Sequence, residues 1–524
     1  MLALLLSFTM MVGMIPAAAF GEDTIQRSAQ DVEQSQVSDE GVQADFDESH
    51  DSNISQQGQI SSEEQSPYDV AADDSTANAV DEAYTSDEGY VAYDGQTETG
   101  KYSISNAAQL VTLSQKVQEG TTYAGSDFRM ENDIDLSEVC GPDIGGKQIF
   151  WQPIGIYSLR RPADCKPFSG NFHGNGKTVS GLYGAEVTTS GIGYEVREYF
   201  GLFGYIAEST VDNIVVRGSV STLVNYSSGI VAYAEKSTIN NCASYVNFQA
   251  GGVEIGGICC YANQTTIENC DNYANFNGPN GEVCTSAGGI CYSASECTIS
   301  KCKNYSSFAE GSKNSAGICH SAGNDSKYEP THILDCENIG DINSGDNSGS
   351  GIVLKSYAPV DIMRCSNIGN ITCSAGKAAG IICEMSYGGT ISDCTNSGDI
   401  VNSCTDTQDG TAGIVAYMVS SKSTATASME GCVNSGNVKG YNYVGGLAGK
   451  VAVATYNISG CYNAGAISCL DTTGLTVSSA YIGGLAGSLG GKTGNTSAAV
   501  VESCFNLGDV SGTTSTLLGV LLDM

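Results

Sequence analysis

Residues 336–342 read CENIGDI, and this short pattern returns along the chain. It recurs as CSNIGNI at 365–371, CTNSGDI at 394–400, CVNSGNV at 432–438, CYNAGAI at 461–467 and CFNLGDV at 504–510. Cysteine, asparagine, glycine and a β-branched residue stand at alternate positions, and alternate side chains of a β-strand share one face. Each copy therefore predicts a strand with the cysteine and the final Ile or Val on one buried face.

Nine copies align on a cysteine, and a glycine-rich anchor such as GGIC or GGLAG precedes each of them. The aligned cysteines are Cys242, Cys270, Cys302, Cys336, Cys365, Cys394, Cys432, Cys461 and Cys504. One copy is too small to bury a core, whereas stacked copies share a continuous one. We therefore predict an all-β solenoid of about eleven coils, two of them degenerate copies with Ile214 or Leu182 at the cysteine position.

The cysteines are predicted to form a core column, because a thiol packs like a small hydrophobe. Adjacent coils would place these side chains about 4.8 Å apart, and the asparagines would form a second column joined by their amides. Cys259, Cys291 and Cys319 share another position, where Val231, Val353 and Val415 stand in other copies. Disulfides between coils are the alternative, since the expected Cα spacing permits them.

The N-terminal part divides into two segments. Residues 1–21 have the apolar run and small-residue end of a signal peptide, with a lone membrane anchor as the alternative. Residues 22–100 hold 21 acidic residues against one basic residue, Arg27, which predicts a disordered acidic linker. The net charge of −35 argues against nucleic acid as a partner, and no later run is long enough to span a membrane.

Residues 101–160 are predicted to form a small α/β cap on the solenoid, and residues 161–524 the β-helix repeats. A helix is expected here, capped by Ser105 or Asn106 and closed by Gly120. The cap would cover the open edge of the first coil. We expect the natural protein to begin upstream of Met1 and to continue past Met524.

The stretches YFGLFGYI (199–206), YVGGLAGKV (443–451) and YIGGLAGSL (481–489) resemble the GLUG repeats of bacterial surface proteins. Around residues 102–182 the chain is similar to the first segment of right-handed β-helix domains in Gram-positive surface proteins. This resemblance implies a right-handed parallel β-helix that is secreted or cell-surface bound and serves adhesion or display. Such proteins commonly carry a wall anchor, but the printed sequence has no LPxTG-type signal.

Catalysis is not expected from the residues. GLUG repeats also accompany IgA-specific zinc metallopeptidases, but this sequence has four histidines and no HExxH. A polysaccharide lyase or glycosidase remains the enzymatic alternative, since β-helices can carry paired carboxylates. The acidic residues beside the cysteine column do not recur as a cluster; they are Glu268, Asp335, Asp393, Glu430 and Glu502. No metal or cofactor is predicted.

Tyr245, Tyr273 and Tyr305 lie three residues after successive cysteines and should point outward. Flat rings along a rod could stack on sugars, with Asn247 and Asn275 offering polar contacts. The alternative is an aromatic ladder that only stabilises the strands. Inserts at 324–335 and 418–430 leave the same corner. We predict weak binding of host or microbial surface glycans or proteins, with a passive spacer as the alternative; the sequence does not indicate an oligomeric state.

Overall fold

The computed structural model describes residues 89–524 with internal gaps. The gaps are 160, 185–198, 222–225, 250–253, 277–285, 324–328, 346, 407–408, 420–425, 454, 471–479, 491–498, 513–515 and 520–524. The predicted signal peptide, residues 22–88 of the predicted linker and parts of both inserts lie outside the described residues. No helix in the described part of the chain is long and apolar enough to cross a membrane.

The described chain forms a right-handed parallel β-helix, which confirms the predicted fold class. Its strands lie in four sheets of 24, 10, 11 and 7 strands, and the named strands pair with their counterparts one coil away in parallel. Eleven strands in the third sheet agree with the predicted number of coils. A complete coil therefore contributes two short strands to the first sheet and one to each of the others, and it gains its stability from its two neighbours.

One coil shows the path of the chain. Gly349–Ser350 belongs to the third sheet, and Val353–Ser356 follows in the second. Val360–Met363 and Ser366–Asn367 then run through the first sheet on either side of the cysteine. Ile371–Cys373 closes the coil in the fourth sheet.

The first sheet contains two sets of strands. Those that precede the cysteine position, or belong to the first coils, are Val91–Ala92, Lys101–Ile104, Asp127–Met130, Ile134–Asp135, Asn171–Gly184, Thr210–Ser221, Thr238–Asn240, Thr266–Glu268, Thr298–Ser300, Thr331–Leu334, Val360–Met363, Gly389–Ser392, Thr426–Glu430, Thr455–Ser459 and Ala499–Glu502. Those that follow it are Ala243–Gln249, Asp271–Asn272, Lys303–Asn304, Glu337–Asn338, Ser366–Asn367, Thr395–Asn396, Val433–Asn434, Tyr462–Asn463 and Phe505–Asn506.

The other three sheets complete the coils. The second contains Phe203–Ala207, Val231–Glu235, Cys259–Asn263, Cys291–Ser295, Cys319–Ala322, Val353–Ser356, Ile382–Met385, Val415–Val419, Ala448–Ala452 and Ala486–Leu489. The third contains Tyr199–Phe200, Tyr226–Ser228, Glu254–Gly256, Ser286–Gly288, Asn314–Ala316, Gly349–Ser350, Ala378–Ala379, Thr411–Ala412, Val444–Gly445, Ala480–Gly483 and Thr516–Gly519. The fourth contains Phe308–Ser312, Ile342–Ser344, Ile371–Cys373, Ile400–Asn402, Val438–Gly440, Ile467–Cys469 and Val510–Ser511.

The predicted helix is present at Ala107–Gln118. The Asn106 side chain accepts a hydrogen bond from the Gln109 N–H at 3.1 Å, and Gly120 takes a positive φ after the helix. Leu110, Leu113 and Val117 are fully buried. A single 3-10 turn, Pro162–Asp164, follows the cap.

The linker boundary predicted at residue 100 is too late. Val91–Ala92 already pairs in parallel with Lys101–Ile104, and the Tyr93 side chain is buried. Its hydroxyl lies 2.5 Å from that of Tyr123 within an aromatic cluster. The ordered solenoid therefore includes at least residues 91–93, because an aromatic anchor outweighs the acidic composition around it.

The placement of Leu182 at the cysteine position is also wrong. Leu182 pairs with Gly218, and Lys177 stands opposite Ile214 after a register shift. Gly176 and Gly181 take positive φ values in this long strand, which allows the irregularity. Ile214 does occupy the cysteine position. The residue after it, Val215, pairs with Ala243, the residue after Cys242.

An amide ladder, buried at all but its last member, runs through eight coils. Its members are Asn272, Asn304, Asn338, Asn367, Asn396, Asn434, Asn463 and Asn506, and each Nδ2 donates to the Oδ1 of the next at 2.6–2.9 Å. The glycine of the preceding anchor faces this ladder. A Cβ on Gly380 would lie 2.5 Å from the Asn396 Oδ1, so the glycine and the asparagine are required together.

The turn before each cysteine uses a left-handed residue. Asn241, Asn269, Asp335 and Asp393 have φ between 51° and 55°; two copies place glycine there, Gly431 and Gly460, and three place Lys301, Arg364 and Ser503. Asn and Asp adopt this conformation at lower cost than other side chains. A second such turn joins the second and first sheets at residues 208, 236, 264 and 296.

Candidate functional site

The three predicted tyrosines form one outward column on the first sheet. Tyr245 and Tyr273 have ring centroids 4.6 Å apart at 6°, and Tyr273 and Tyr305 are 4.4 Å apart at 8°. Arg217, the partner of Tyr245 in the preceding coil, places its guanidinium carbon 3.9 Å from the Tyr245 centroid. We call Arg217, Tyr245, Tyr273 and Tyr305 the tyrosine column.

Stacking decides what this column can contact. Both faces of Tyr273 are covered by its neighbours, and Arg217 covers the outer face of Tyr245. Tyr273 and Tyr305 are each 36% exposed, so their edges and hydroxyl ends face solvent. A sugar ring therefore cannot stack on the face of Tyr273. The arrangement is the aromatic ladder, and it leaves an exposed row of ring edges.

Asn247 and Asn275 lie beside this column and pair with each other across adjacent coils. The Phe248 N–H donates to the Asn275 carbonyl at 2.7 Å, and the Asn275 N–H donates to the Val246 carbonyl at 3.1 Å. Further along the same position, the Asn370 N–H donates to the Asp341 Oδ1 at 2.7 Å. This position therefore links coils as well as presenting polar atoms.

The exposed apolar row continues beyond the tyrosines. Ile339 and Ile368 occupy the same place in the next two coils. Like the N–H of Tyr305, their N–H groups each donate to the backbone carbonyl of the ladder asparagine in the preceding coil. Ile368 is 48% exposed, whereas Ile339 and Tyr245 are half-buried. The row from Tyr245 to Ile368 thus spans five coils, and sequence inspection missed its last two members and Arg217. The sequence did contain a signal for Ile339 and Ile368, because both stand three residues after a column cysteine, as the tyrosines do.

Charged residues flank one side of the row. Asp271, Lys303 and Glu337 are register partners, and the Lys303 Nζ lies 3.2 Å from the Glu337 Oε2. Burial raises the pKa of the Asp271 carboxyl, although Lys303 opposes the shift. The row is therefore an apolar stripe bounded by polar columns.

The cysteines of the predicted ladder line the core. Each thiol donates to a backbone carbonyl of the preceding coil at 3.4–3.7 Å. The acceptor is the residue three positions before the column residue of that coil, as when Cys270 donates to Ile239. Cys242 to Cys461 are buried, whereas Cys504 is only half-buried. The column cysteines are free thiols, and burial raises the pKa of Cys270, as it does that of Cys291, well above the ordinary range. Cys270 and Cys291 therefore pack and bond but are not poised to react.

Two of the five carboxylates beside the cysteine column, Glu268 and Asp335, form ion pairs. Glu268 contacts Lys301 at 2.9 Å, and Asp335 contacts Arg364 at 2.6 Å. Arg364 lowers the pKa of Asp335, so this carboxyl is no proton donor at neutral pH. Within the described residues, no group of three or more His, Cys, Asp or Glu is placed to hold a metal ion.

A small apolar cluster with an ion network beside it lies where the second and third sheets meet, and neither was predicted. Ala316, Leu354, Ala379, Cys383 and Ala416 form a small buried cluster separate from the main core. We call these five residues the corner cluster. Lys355, Lys377, Glu384 and Asp409 form an ion network beside it. Sequence reasoning missed the network because its members belong to different coils and share no motif.

Another unpredicted feature is a tyrosine-rich patch near the first coils. Tyr157 stacks on Tyr233 at 3.7 Å, and the Tyr205 hydroxyl donates to Glu235 at 2.8 Å. Tyr261 donates to Glu254, whose pKa is raised by burial. Because these rings pack on one another, the patch joins the cap to the second sheet.

Comparison with known proteins adds one distant likeness. No family model and no curated protein matches the chain. A solved structure described as a putative immunoglobulin A1 protease from Bacteroides ovatus is 14% identical, covering 78% of this chain and 84% of that one, with a TM-score of 0.28.

Proposed function

We propose that this chain is an exported, non-catalytic β-solenoid that serves cell-surface display or adhesion in a Gram-positive bacterium. The observation that carries the proposal is the row from Tyr245 to Ile368, which runs over five coils with Tyr273, Tyr305 and Ile368 exposed and is bounded by polar columns. Single exposed apolar residues are common on proteins, whereas an aligned row marks a contact surface.

The form of the row defines the contact. A ligand must run along the solenoid axis, because the exposed residues repeat from coil to coil. It meets ring edges and hydroxyls rather than open aromatic faces, since the rings of the tyrosine column cover each other. Surface glycan chains and extended protein segments both suit such a contact, and an affinity built from several small contacts is expected to be weak.

The test is binding of the purified chain to a glycan array and to cultured host cells. Replacing Tyr245, Tyr273 and Tyr305 together by alanine should abolish retention. Tyr443 and Tyr481 form the matched control, because their rings also stack, at 5.1 Å and 5°, but lie at the third sheet, Tyr481 within its strand Ala480–Gly483 and Tyr443 just before Val444–Gly445. Equal binding by the triple variant and the wild type would reject the row as the contact surface.

The same preparations separate the other functions. Release of unsaturated or reducing sugar from polysaccharides would establish an enzyme, and absence of both binding and release would leave a passive spacer. Glu384, a carboxylate in the described ion network, does not have the properties of a glycosidase's general acid. Although burial opposes it, Lys355 and Lys377 lower the pKa of Glu384, whereas a general acid needs a raised value.

A further inference from the structure

Arg217 is the first member of the tyrosine column, and it is an exposed cation. In the described part of the chain it forms no ion pair with a carboxylate. The other described arginines do form ion pairs: Arg129 with Glu131, Arg161 with Asp164 and Arg364 with Asp335. The chain has 58 acidic residues against 23 lysines and arginines, so an arginine without a carboxylate partner is unusual in it. Its guanidinium is available to an anion from outside the chain.

The Tyr245 ring holds this guanidinium in place. The Arg217 Cζ lies 3.9 Å from the centroid of the ring, well within the distance at which a cation is attracted to an aromatic face. A guanidinium carries its N–H donors in one plane, so stacking on a ring leaves the donors at its edge open. A fork of donors fixed in this way fits both oxygens of a carboxylate.

Short polar residues lie around Arg217 on the outer face of the first sheet. Ser219 follows on the same face of the strand, and its register partner Asn247 is exposed. In the preceding coil, Ser180 and Gly181 lie opposite Arg217, where the register shifts. Neither has a side chain long enough to cover the guanidinium. The cation is therefore open to a ligand, and a hydroxyl and an amide beside it can bond to sugar hydroxyls.

The backbone of this face is already paired. The strand Thr210–Ser221 pairs in parallel with Asn171–Gly184 on one side and with Ala243–Gln249 on the other. A peptide therefore finds no free strand edge here to which it could add. Recognition has to come from side chains, which are the ring edges and hydroxyls of the tyrosine column, the neighbouring amides and the charge of Arg217. These groups suit a sugar chain that carries a carboxylate at one end of the contact.

We infer that the tyrosine column binds an acidic glycan, in which a uronic or sialic acid residue places its carboxylate on Arg217. The rest of the sugar chain runs along the edges of Tyr245, Tyr273 and Tyr305. Three steps of about 4.8 Å separate Arg217 from Tyr305, so the contact extends over roughly 14 Å. Because the unpaired cation lies at one end only, the ligand lies along the rod in one direction. This inference names the ligand class of the proposed contact surface and rests on that proposed function.

Binding of the full chain to paired glycans tests the inference. Each acidic glycan is compared with the same glycan after reduction of its carboxyl group to an alcohol. The wild type should bind the acidic form about ten- to a hundredfold more tightly, as expected for hydrogen bonds to a charged group. Equal affinity for the two forms, stronger binding of a sulfated sugar without a carboxylate, or retention by surface proteins alone would overturn the inference and leave the adhesive role intact. Absence of any retention would reject both.

Variants assign the role of Arg217. Arg217→Gln should bind the acidic form as weakly as the wild type binds the reduced form, whereas Arg217→Lys should keep part of the preference because it keeps the charge but not the planar fork. Arg364→Gln is the matched control, since Arg364 is also exposed on the first sheet but is paired with Asp335, and it should leave the preference unchanged. An undiminished preference in Arg217→Gln would refute the assignment. Circular dichroism identifies any variant that fails to fold, and the comparison of paired glycans on the wild type decides the question regardless.

Discussion

Replacing Asn396 by alanine should destabilise the coils around it strongly. The Asn396 Nδ2 donates to the Gly398 carbonyl at 2.9 Å and to the Asn434 Oδ1 at 2.8 Å, and its Oδ1 accepts from Asn367 at 2.7 Å. All of these side chains are buried. The substitution removes a donor from two buried acceptors, and each such loss costs about 1–3 kcal/mol. We therefore expect the local free energy of opening to fall by about 4 kcal/mol.

Hydrogen exchange is the appropriate assay, because solenoid coils can open separately and a single unfolding midpoint would average them. Amides of residues 367, 396 and 434 should lose protection in Asn396→Ala, whereas those near Asn272 should not. Asn437→Ala is the control, because this amide lies on the exposed surface and bonds to Asp399 at 3.1 Å. Its effect should stay within about 0.5 kcal/mol. Equal protection losses in the two variants would refute the view that the buried ladder stabilises the rod.

Four further outcomes are expected. Gly380→Ala should lower the unfolding free energy by about 1–3 kcal/mol in denaturant titrations, because its Cβ would lie 2.2 Å from the Gly413 carbonyl; an unchanged midpoint would contradict this. Lys236→Gly should raise the unfolding free energy by about 0.5–1 kcal/mol, because it relieves a φ of 47°; a lower unfolding free energy would count against that explanation. The hydrogen bond that the His173 ring donates to the Asp212 carboxylate raises the pKa of His173, so its stabilising contribution is complete below pH 6.5 and is lost as pH rises through the folded value; the difference in melting temperature between wild type and His173→Gln should disappear over that rise. The buried column thiols, Cys270 among them, should resist a thiol reagent in the native protein and react after denaturation, and rapid native labelling would contradict their inert role.

The sequence predicted the repeated strand and its stacking because both rest on local spacing. Alternation places Cys394 and Ile400 inward, and the same spacing one coil later places Cys432 and Val438 above them. The helix beginning after Asn106 was equally readable, since its cap and its apolar spacing are local.

Features made by side chains from different coils were harder to predict. The approach of Lys377 to Asp409 depends on where a turn of one coil ends relative to the next, and no periodicity reports that distance. The tyrosine column shows the intermediate case. Outward placement followed from the spacing, but mutual coverage of the ring faces depends on the tilt of each ring.

The amide ladder has a direction, because each Nδ2 donates toward the following coil from Asn272 to Asn506. Every link has the same sense and uses only the two adjacent coils. A unit carrying the asparagine and its facing glycine can therefore be duplicated or deleted without reversing any bond. Rod length is then free to change through unequal recombination, and a lineage can adjust how far this protein reaches while its interior stays the same.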